Sequence, residues 1–303
     1  MKKIFIPVLI AGIAASLIAG CSPWVQPENK DYPHEPLSLS DQSYSEYCNA
    51  LSAWKAGAHY YSYVRFDNNS SSFRGEGNFL RSLPDSLDMV VLMNTELSAS
   101  DREDITLLHS KGTRALLRLD FAAQMSALSD EASLGSALDA LVAAVKENGL
   151  DGWSFTGEPL YTDPWRAQAA TLIMQKFVAA KGQGMLIVME GDPLFVQAAD
   201  RDKVDLFVLG TEKMKKMSDV RSLVTRATGY GAIPVKKLLL ASPIAGSIYD
   251  ENNNSAGILE TLTARVRPLG PLAGLAMYGI EDDYYSPDGN YLTIRSTINE
   301  LNK

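Results

Sequence analysis

Acidic and aromatic residues recur at the ends of the short apolar runs in this sequence. The acidic residues that follow such runs are Asp67, Glu96, Asp120, Glu158, Glu190, Asp192, Glu212 and Glu281, and the aromatic residues nearby include Tyr63 and Tyr278. Carboxylates accept hydrogen bonds from sugar hydroxyls or coordinate a cation, and aromatic rings can stack on sugar rings. We therefore expect an acidic cleft, although strand ends are polar in most proteins and no single one of these residues is decisive.

The most specific pattern lies at residues 149–159, Gly-Leu-Asp-Gly-Trp-Ser-Phe-Thr-Gly-Glu-Pro. Ser154, Thr156 and Glu158 occupy alternate positions, and alternate side chains of an extended strand point to the same face. Two hydroxyls and one carboxylate would then share that face. The carboxylate could transfer a proton, whereas the hydroxyls could only donate or accept hydrogen bonds.

The elements that must position these residues alternate between short strands and helices. Strands are predicted at 59–65, 87–93, 114–119, 152–155, 185–189, 204–209, 237–241 and 275–278, and helices at 43–55, 100–111, 134–148, 165–181, 193–200, 219–228, 258–266 and 291–301. The helix at 100–111 is predicted to begin with a capping box at Ser100. Continuous apolar strands are typical of a parallel sheet that is buried on both faces.

Eight such strand–helix units predict an α/β protein with a single-domain (β/α)8 TIM barrel, whose active site lies at the carboxyl ends of the strands. The alternative is a doubly wound open sheet. That fold binds phosphates through a Gly-rich turn after its first strand, and no such turn follows the first predicted strand here.

The amino-terminal residues are predicted to be a targeting segment. Lys2 and Lys3 precede an apolar run that ends in Leu-Ile-Ala-Gly-Cys at positions 17–21. A basic start, an apolar stretch too short to span a bilayer and a small-residue end indicate a signal peptide over residues 1–20. The last five residues resemble a bacterial lipobox, which implies lipidation of Cys21. Prolines then predict an extended tether over 21–42, followed by the barrel at 43–303.

Charge and cysteine content exclude several classes of function. The chain has 28 Lys and Arg residues against 36 Asp and Glu residues, and loss of the two lysines in the first twenty residues would change the balance from −8 to −10. This acidic balance argues against a nucleic-acid partner. The two cysteines do not suffice for a disulfide scaffold or a cysteine-rich zinc module. Nothing in the sequence requires a metal or an organic cofactor.

The segment 149–159 resembles the signature of glycoside hydrolase family 18, Asp-Gly-x-Asp-x-Asp-x-Glu. Asp151, Gly152 and Glu158 match that signature, and Ser154 and Thr156 replace its two inner aspartates. Three other stretches, at 82–88, 111–116 and 277–284, are similar to endo-β-N-acetylglucosaminidase-like lipoproteins of the family. Together the four stretches extend the resemblance over roughly residues 45–303, the range expected for one barrel.

The resemblance implies substrate-assisted hydrolysis, in which the substrate's own acetamide attacks the anomeric carbon. Glu158 would protonate the leaving oxygen, and the residue at position 156 would orient the acetamide. Threonine there lacks the charge of the family aspartate, and losing one such electrostatic partner reduces the rate by about 10²–10³. Without acidic neighbours Glu158 is also expected to be deprotonated at neutral pH and to be a poor general acid.

Two further departures affect the same pocket. The predicted strand at 204–209 ends without the tyrosine that the family usually has there, and the strand at 87–93 ends in Met93 and Asn94 without a large aromatic residue. We therefore predict a surface protein that binds N-glycans or other GlcNAc-containing chains without cutting them efficiently. Its expected binding residues are Tyr63, Asp120, Ser154, Thr156, Glu190, Tyr278 and Glu281, with Glu158 as a residual general acid.

Two other interpretations stay open at this point. One is an active hydrolase in which Glu158 works with Glu190, Glu212 or Glu281. The other is a structural surface lipoprotein that binds no sugar. The expected partners are a glycan, a bacterial membrane through the lipid on Cys21 and the machinery of glycan uptake, with the outer membrane or cell surface as the expected location.

Overall fold

The structure is a computed structural model that describes residues 41–68, 75–159 and 162–303. By internal contacts the chain divides into two units, Met1–Ser45 and Glu46–Lys303. The predicted signal peptide, the lipidation of Cys21 and all but the last two residues of the predicted tether lie outside the described residues. Among the helices of the described ranges, none is both long and apolar enough to cross a bilayer.

Eight parallel strands close into a barrel, as the sequence predicts. The strands of the barrel are β1 (Tyr61–Phe66), β2 (Met89–Leu92), β3 (Arg114–Leu119), β4 (Gly152–Gly157), β5 (Leu186–Gly191), β6 (Leu206–Leu209), β7 (Leu238–Pro243) and β10 (Gly274–Tyr278), and β8 (Ser247–Tyr249) and β9 (Ser255–Gly257) form a separate antiparallel hairpin. Around the barrel the order is β1-β10-β7-β6-β5-β4-β3-β2. The fold is thus a single-domain (β/α)8 barrel.

Helices follow most of the strands. They are α1 (Asp41–Ala56), α2 (Ala99–Ser110), α3 (Phe121–Gln124), α4 (Glu131–Glu147), α5 (Pro164–Ala180), α6 (Met217–Thr228), α7 (Ile258–Arg265) and α8 (Leu292–Leu301). The helix predicted at 193–200 is instead a pair of 3₁₀ turns at Pro193–Phe195 and Ala198–Lys203. Val196 and Gln197, between the two turns, have extended backbone with ψ of 130° and 144°, which interrupts the helix.

The start of α2 also differs from the prediction. Ser98, and not Ser100, caps the helix, because the backbone N–H of Asp101 donates to the Ser98 hydroxyl at 3.0 Å. The carboxylate of Asp101 accepts in return from the backbone N–H of Ser98 at 2.8 Å. These two reciprocal bonds complete the capping box, and Asp101 rather than Glu103 is its acidic member.

Alternation along β4 decides which residues face the inside of the barrel. Trp153 and Phe155 point outward, and the Trp153 ring stacks on Phe177 of α5 with centroids 5.0 Å apart. Ser154 and Thr156 therefore point inward, as period-two alternation requires. Apolar residues of the buried interior include Val91, Leu116, Val188, Val208 and Leu239. Ser154 lies midway along β4, in register with Val188 of β5, and Thr156 lies nearer the carboxyl end of the strand.

Candidate functional site

Glu190 is the centre of a buried polar cluster at the carboxyl end of the barrel. Its residue surface is only 2% exposed. One carboxylate oxygen accepts from the hydroxyls of Ser154 at 2.5 Å and Tyr63 at 2.9 Å. The other accepts from the Tyr278 hydroxyl at 2.6 Å and from Nε of Arg65 at 2.7 Å. Four residues that the sequence predicts to bind substrate thus lie together, on β1, β4, β5 and β10.

Two arginines compensate the charge of Glu190. Nη2 of Arg65 lies 2.6 Å from the carboxylate, and Nε of Arg118 lies 3.8 Å from it. Burial alone would raise the pKa of Glu190, but the two guanidinium charges and the hydrogen bonds from Ser154 and Tyr278 outweigh burial and hold the pKa below its usual value. Glu190 is therefore a carboxylate at neutral pH whose charge is neutralised in place.

A second carboxylate, that of Asp120, contacts the other substituted position of β4, Thr156. The Thr156 hydroxyl donates to Asp120 at 2.7 Å and accepts from the backbone N–H of Ala122 at 3.1 Å. Nη1 of Arg118 lies 2.6 Å from the other carboxylate oxygen of Asp120. Burial raises the pKa of Asp120, but Thr156 and Arg118 more than offset it, and the net pKa lies below its usual value. Because the Asp120 side chain is 27% exposed, a ligand in solvent can reach it.

The two substituted positions share one arrangement. Each hydroxyl of β4 bonds a carboxylate from a flanking segment, Ser154 with Glu190 of β5 and Thr156 with Asp120 at the end of β3. The negative charges that the signature would place on β4 are thus present on its neighbours. Each is held by arginine, so neither carboxylate is free to rotate toward a ligand without breaking an ion pair.

The binding residues predicted from the sequence do not include the two arginines. Arg65 and Arg118 lie near the ends of β1 and β3, within otherwise apolar or aromatic runs. A charged residue inside a buried strand needs a partner of opposite charge, which is the signal that could have identified both. Arg65 is also oriented by Tyr278, since its guanidinium carbon lies 3.8 Å from the centre of that ring.

Glu158 lies outside this cluster. It is exposed just beyond the end of β4. Its backbone carbonyl accepts from Nη1 of Arg166 at 3.1 Å, and within the described ranges its carboxylate has no hydrogen bond or ion pair. A carboxylate in this setting is a hydrogen-bond acceptor that solvent can reach.

The other two carboxylates considered as partners of Glu158 also lie outside the cluster. Glu281 is exposed in the 3₁₀ turn Glu281–Tyr285 that follows β10. Glu212, after β6, has one buried carboxylate oxygen without a hydrogen-bond partner among the described residues. Of the three proposed partners, only Glu190 belongs to the cluster inside the barrel.

An aromatic pair stands on the connection that leaves the carboxyl end of β10. Tyr285 is 61% exposed and Tyr284 is 8% exposed, and their rings meet edge to face with centroids 4.9 Å apart. The Tyr284 hydroxyl donates to the Glu76 carboxylate at 2.8 Å. Tyr284 also packs so closely on Gly77 that a Cβ there would lie 2.8 Å from its ring. The Tyr285 ring is therefore an exposed surface on a fixed support.

The described residues do not contain a group of three or more metal-ligating side chains. The groups that a ligand can reach at this end of the barrel include the partly exposed Asp120 carboxylate and the exposed Tyr285 ring. A carboxylate acceptor and an aromatic ring can contact an uncharged polar ligand such as a sugar.

Comparisons with known proteins connect this barrel to a family. Residues 25–137 match a family model described as glycoside hydrolase family 18, BT1044-like. This range includes β1 to β3 and ends before the signature segment on β4. No curated protein matches the chain in sequence.

Solved structures agree with the family model. A selenomethionine form of BT1044 with one Glu-to-Gln substitution is 19% identical, with a TM-score of 0.67 over 86% of this chain and 93% of the other. The endo-β-N-acetylglucosaminidase of Cordyceps militaris is 17% identical, with a TM-score of 0.59 over 84% and 95%. Human YKL-39 is 12% identical, with a TM-score of 0.60 over 80% and 99%. At these identities the structures establish a common fold, and with the family model they confirm the resemblance to glycoside hydrolase family 18.

Proposed function

We propose that this chain uses a glycoside hydrolase family 18 barrel to bind GlcNAc-containing glycans and that it hydrolyses them poorly or not at all. The observation that carries the proposal is the arginine-held state of both relocated carboxylates. Substrate-assisted hydrolysis needs a carboxylate that can turn to the acetamide and stabilise the positive charge that develops on it. Glu190 has donors on both oxygens, and Asp120 is bound by Arg118 and Thr156.

A solved relative gives precedent for binding without hydrolysis. Human YKL-39 is described as a pseudo-chitinase with retained chitooligosaccharide binding properties. The endo-β-N-acetylglucosaminidase among the similar structures favours N-glycan-type chains as the ligand in our case. Partly exposed Asp120 would accept from sugar hydroxyls, and Tyr285 would stack on a sugar ring.

The location of the protein is part of the same proposal. Lipidation at Cys21 and a tether over residues 21–42 would display the barrel on a bacterial outer membrane or cell surface. A glycan captured there could be passed to uptake machinery. Metabolic labelling with a fatty acid, compared between the natural protein and Cys21→Ala, tests the lipid anchor.

Calorimetry with chitooligosaccharides and a panel of free N-glycans tests the binding. We expect binding without glycan release, and a loss of affinity of about three- to tenfold in Tyr285→Ala. Tyr47→Ala is the matched control, because Tyr47 is 41% exposed and bonds Asp85, which precedes β2 at the opposite end of the barrel. Absence of binding across the whole panel would contradict the proposal and would favour a structural role.

Hydrolysis is the second candidate, and one observation favours it. Asp120 is partly exposed and accepts a hydrogen bond from the hydroxyl of Thr156. Thr156 lies two positions before Glu158. It could act in place of the missing aspartate if a substrate displaced Arg118. Incubation with a high-mannose glycoprotein decides between the candidates. Glycan release that disappears in Glu158→Gln would establish the hydrolase and contradict our proposal.

A further inference from the structure

A separate cavity lies at the other end of the barrel. Its volume is about 580 Å³. The first residues of five strands contribute to its lining: Tyr61, Met89, Arg114, Leu186 and Leu206. The cavity is thus at the amino ends of the strands, whereas the Glu190 cluster is at their carboxyl ends.

Three aspartates of this cavity are already fully engaged. Each precedes a strand, accepts a backbone N–H from the preceding strand and pairs with a basic side chain. Asp88 pairs with His59 at 2.7 Å and accepts from the N–H of Ser62 at 2.8 Å. Asp151 pairs with His109 at 2.8 Å and accepts from the N–H of Ala115 at 2.7 Å. Asp205 pairs with Lys181 at 2.7 Å and accepts from the N–H of Ile187 at 2.7 Å. Lys181 compensates the charge of Asp205, and the two histidines compensate the charges of Asp88 and Asp151 when they are protonated.

Three basic residues of the same cavity have no carboxylate partner within the described ranges. They are Lys55, Arg114 and Lys236. Arg114 and Lys236 are exposed, and Lys55 is only 9% exposed. The cavity lining thus combines three aspartates that already have basic partners with three basic residues that have no ion pair within the described ranges.

Lys55 is held in place by a neutral partner. Its ammonium donates to the Thr113 hydroxyl oxygen at 2.6 Å, and that hydroxyl donates to the backbone carbonyl of Leu87 at 2.8 Å. An ammonium carries three N–H donors, so two are left to serve another acceptor. Burial lowers the pKa of Lys55 to about 8, although the negative charges of Asp88 and Asp85 oppose this shift.

We propose that this cavity binds a phosphate group, either inorganic phosphate or a phosphate monoester. A buried ammonium with unused N–H donors, in a cavity that an arginine and a second lysine also line, matches the charge and the acceptor oxygens of a phosphate. The cavity is much larger than one phosphate ion, which leaves room for the organic part of a monoester. The site is independent of the proposed glycan site, since the two lie at opposite ends of the barrel.

Titration calorimetry with inorganic phosphate at fixed ionic strength tests the site. Lys55→Met keeps the length of the apolar stem and removes the charge, and we expect it to weaken phosphate binding by about 10- to 100-fold. For exposed Arg114→Gln the expected loss is about two- to fivefold. Lys213→Gln, an exposed lysine after β6 at the opposite end, should bind phosphate like the natural protein.

The outcomes separate clearly. A Lys55-dependent signal that Lys213→Gln leaves unchanged supports the site. No phosphate binding at millimolar concentration, or equal weakening in all three variants, overturns it. Circular dichroism shows whether Lys55→Met is folded, and Arg114→Gln with Lys236→Gln provides a surface double variant that tests the same cavity if it is not.

The source of the phosphate can also be distinguished. Glucose 6-phosphate represents a soluble monoester, and vesicles that contain phosphatidic acid represent a lipid headgroup. Lys55-dependent binding of either probe supports the site and identifies its source. Vesicle binding that is insensitive to Lys55→Met, without any response to inorganic phosphate, would reflect general surface attraction and would overturn the proposal.

Discussion

At the scale of single residues, the site depends on a buried carboxylate and the cations around it. Glu190 is nearly inaccessible, and it holds Arg65 in a bidentate contact. Removing one member of a buried ion pair leaves an uncompensated charge, which is far more costly than losing an exposed pair. The cluster is thus a structural element of the barrel as well as part of a candidate binding site.

Replacing Glu190 should therefore destabilise the protein. We expect Glu190→Gln to lower the free energy of unfolding by about 3–5 kcal/mol, because Arg65 loses its counterion and Arg118 keeps only Asp120. Urea denaturation followed by circular dichroism measures the change. Glu281→Gln is the control, since Glu281 is exposed and should change stability by less than about 0.5 kcal/mol. Equal stability of the two variants would show that the arginines find other partners.

An aspartate at position 154 of β4 should repel the Glu190 carboxylate. Ser154 lies 2.5 Å from Glu190, so Ser154→Asp would bring two carboxylates into contact. One of the two would bind a proton, and the variant should gain stability relative to the natural protein as the pH falls from 7 toward 5. Thermal unfolding over that range checks this, with Ser154→Ala as a control that lacks the added charge. Parallel pH profiles for both variants would contradict the expected contact.

At the scale of elements, the paired aspartates before β2 and β4 connect neighbouring strands. The hydrogen bond from His109 to Asp151 raises the pKa of that histidine although burial opposes it, and the pair of His59 with Asp88 behaves in the same way. A histidine with a raised pKa contributes stability that is complete below its unfolded value of about 6.5 and is lost as the pH rises through the folded pKa.

The natural protein should accordingly lose this contribution as the pH rises from about 6.5 through the folded pKa values of the two histidines. His109→Gln with His59→Gln removes both titrating groups, and its stability should be less dependent on pH over that interval. Chemical denaturation at closely spaced pH values measures the two slopes. A double variant with the same slope as the natural protein would assign the dependence to other groups.

The start of β4 requires glycine for a steric reason. Gly152 has a φ of 136°, and a Cβ there would lie 2.0 Å from the backbone oxygen of Leu186 on β5. Gly152→Ala should therefore prevent normal strand pairing and destabilise the protein by more than about 4 kcal/mol. Gly149→Ala is the matched control, with a φ of 63° and open space around its Cβ. Its cost should be only about 1–2 kcal/mol, and denaturant midpoints compare the two.

The strands were predictable from sequence because buried parallel strands are continuous apolar runs. The β8–β9 hairpin was not, since its strands, Ser-Ile-Tyr and Ser-Ala-Gly, have three residues each and are too short to show a hydrophobic pattern. The inward direction of Ser154 and Thr156 followed from alternation alone. Their acidic partners did not, because Glu190 and Asp120 become neighbours of β4 only when the barrel brings β5 and β3 to its two sides.

At the scale of the whole molecule, the barrel separates two sites of different character. Buried apolar side chains, among them Val91, Leu116 and Leu239, fill the interior between the Glu190 cluster and the Lys55 cavity. Interactions at sites far apart without shared partners are usually additive. A ligand at one end should therefore leave affinity at the other unchanged within about twofold. Calorimetry with a chitooligosaccharide, with and without saturating phosphate, tests this independence.

The arginine-held cluster also constrains the evolutionary history open to this protein. A single substitution that places an aspartate at position 154 brings it against Glu190, and a single loss of Glu190 leaves Arg65 without its counterion. Both of these one-step changes toward the family signature are expected to lower the stability of the protein. Related sequences are therefore expected to vary at the exposed rim around Tyr285 sooner than to carry an aspartate at position 154 beside Glu190.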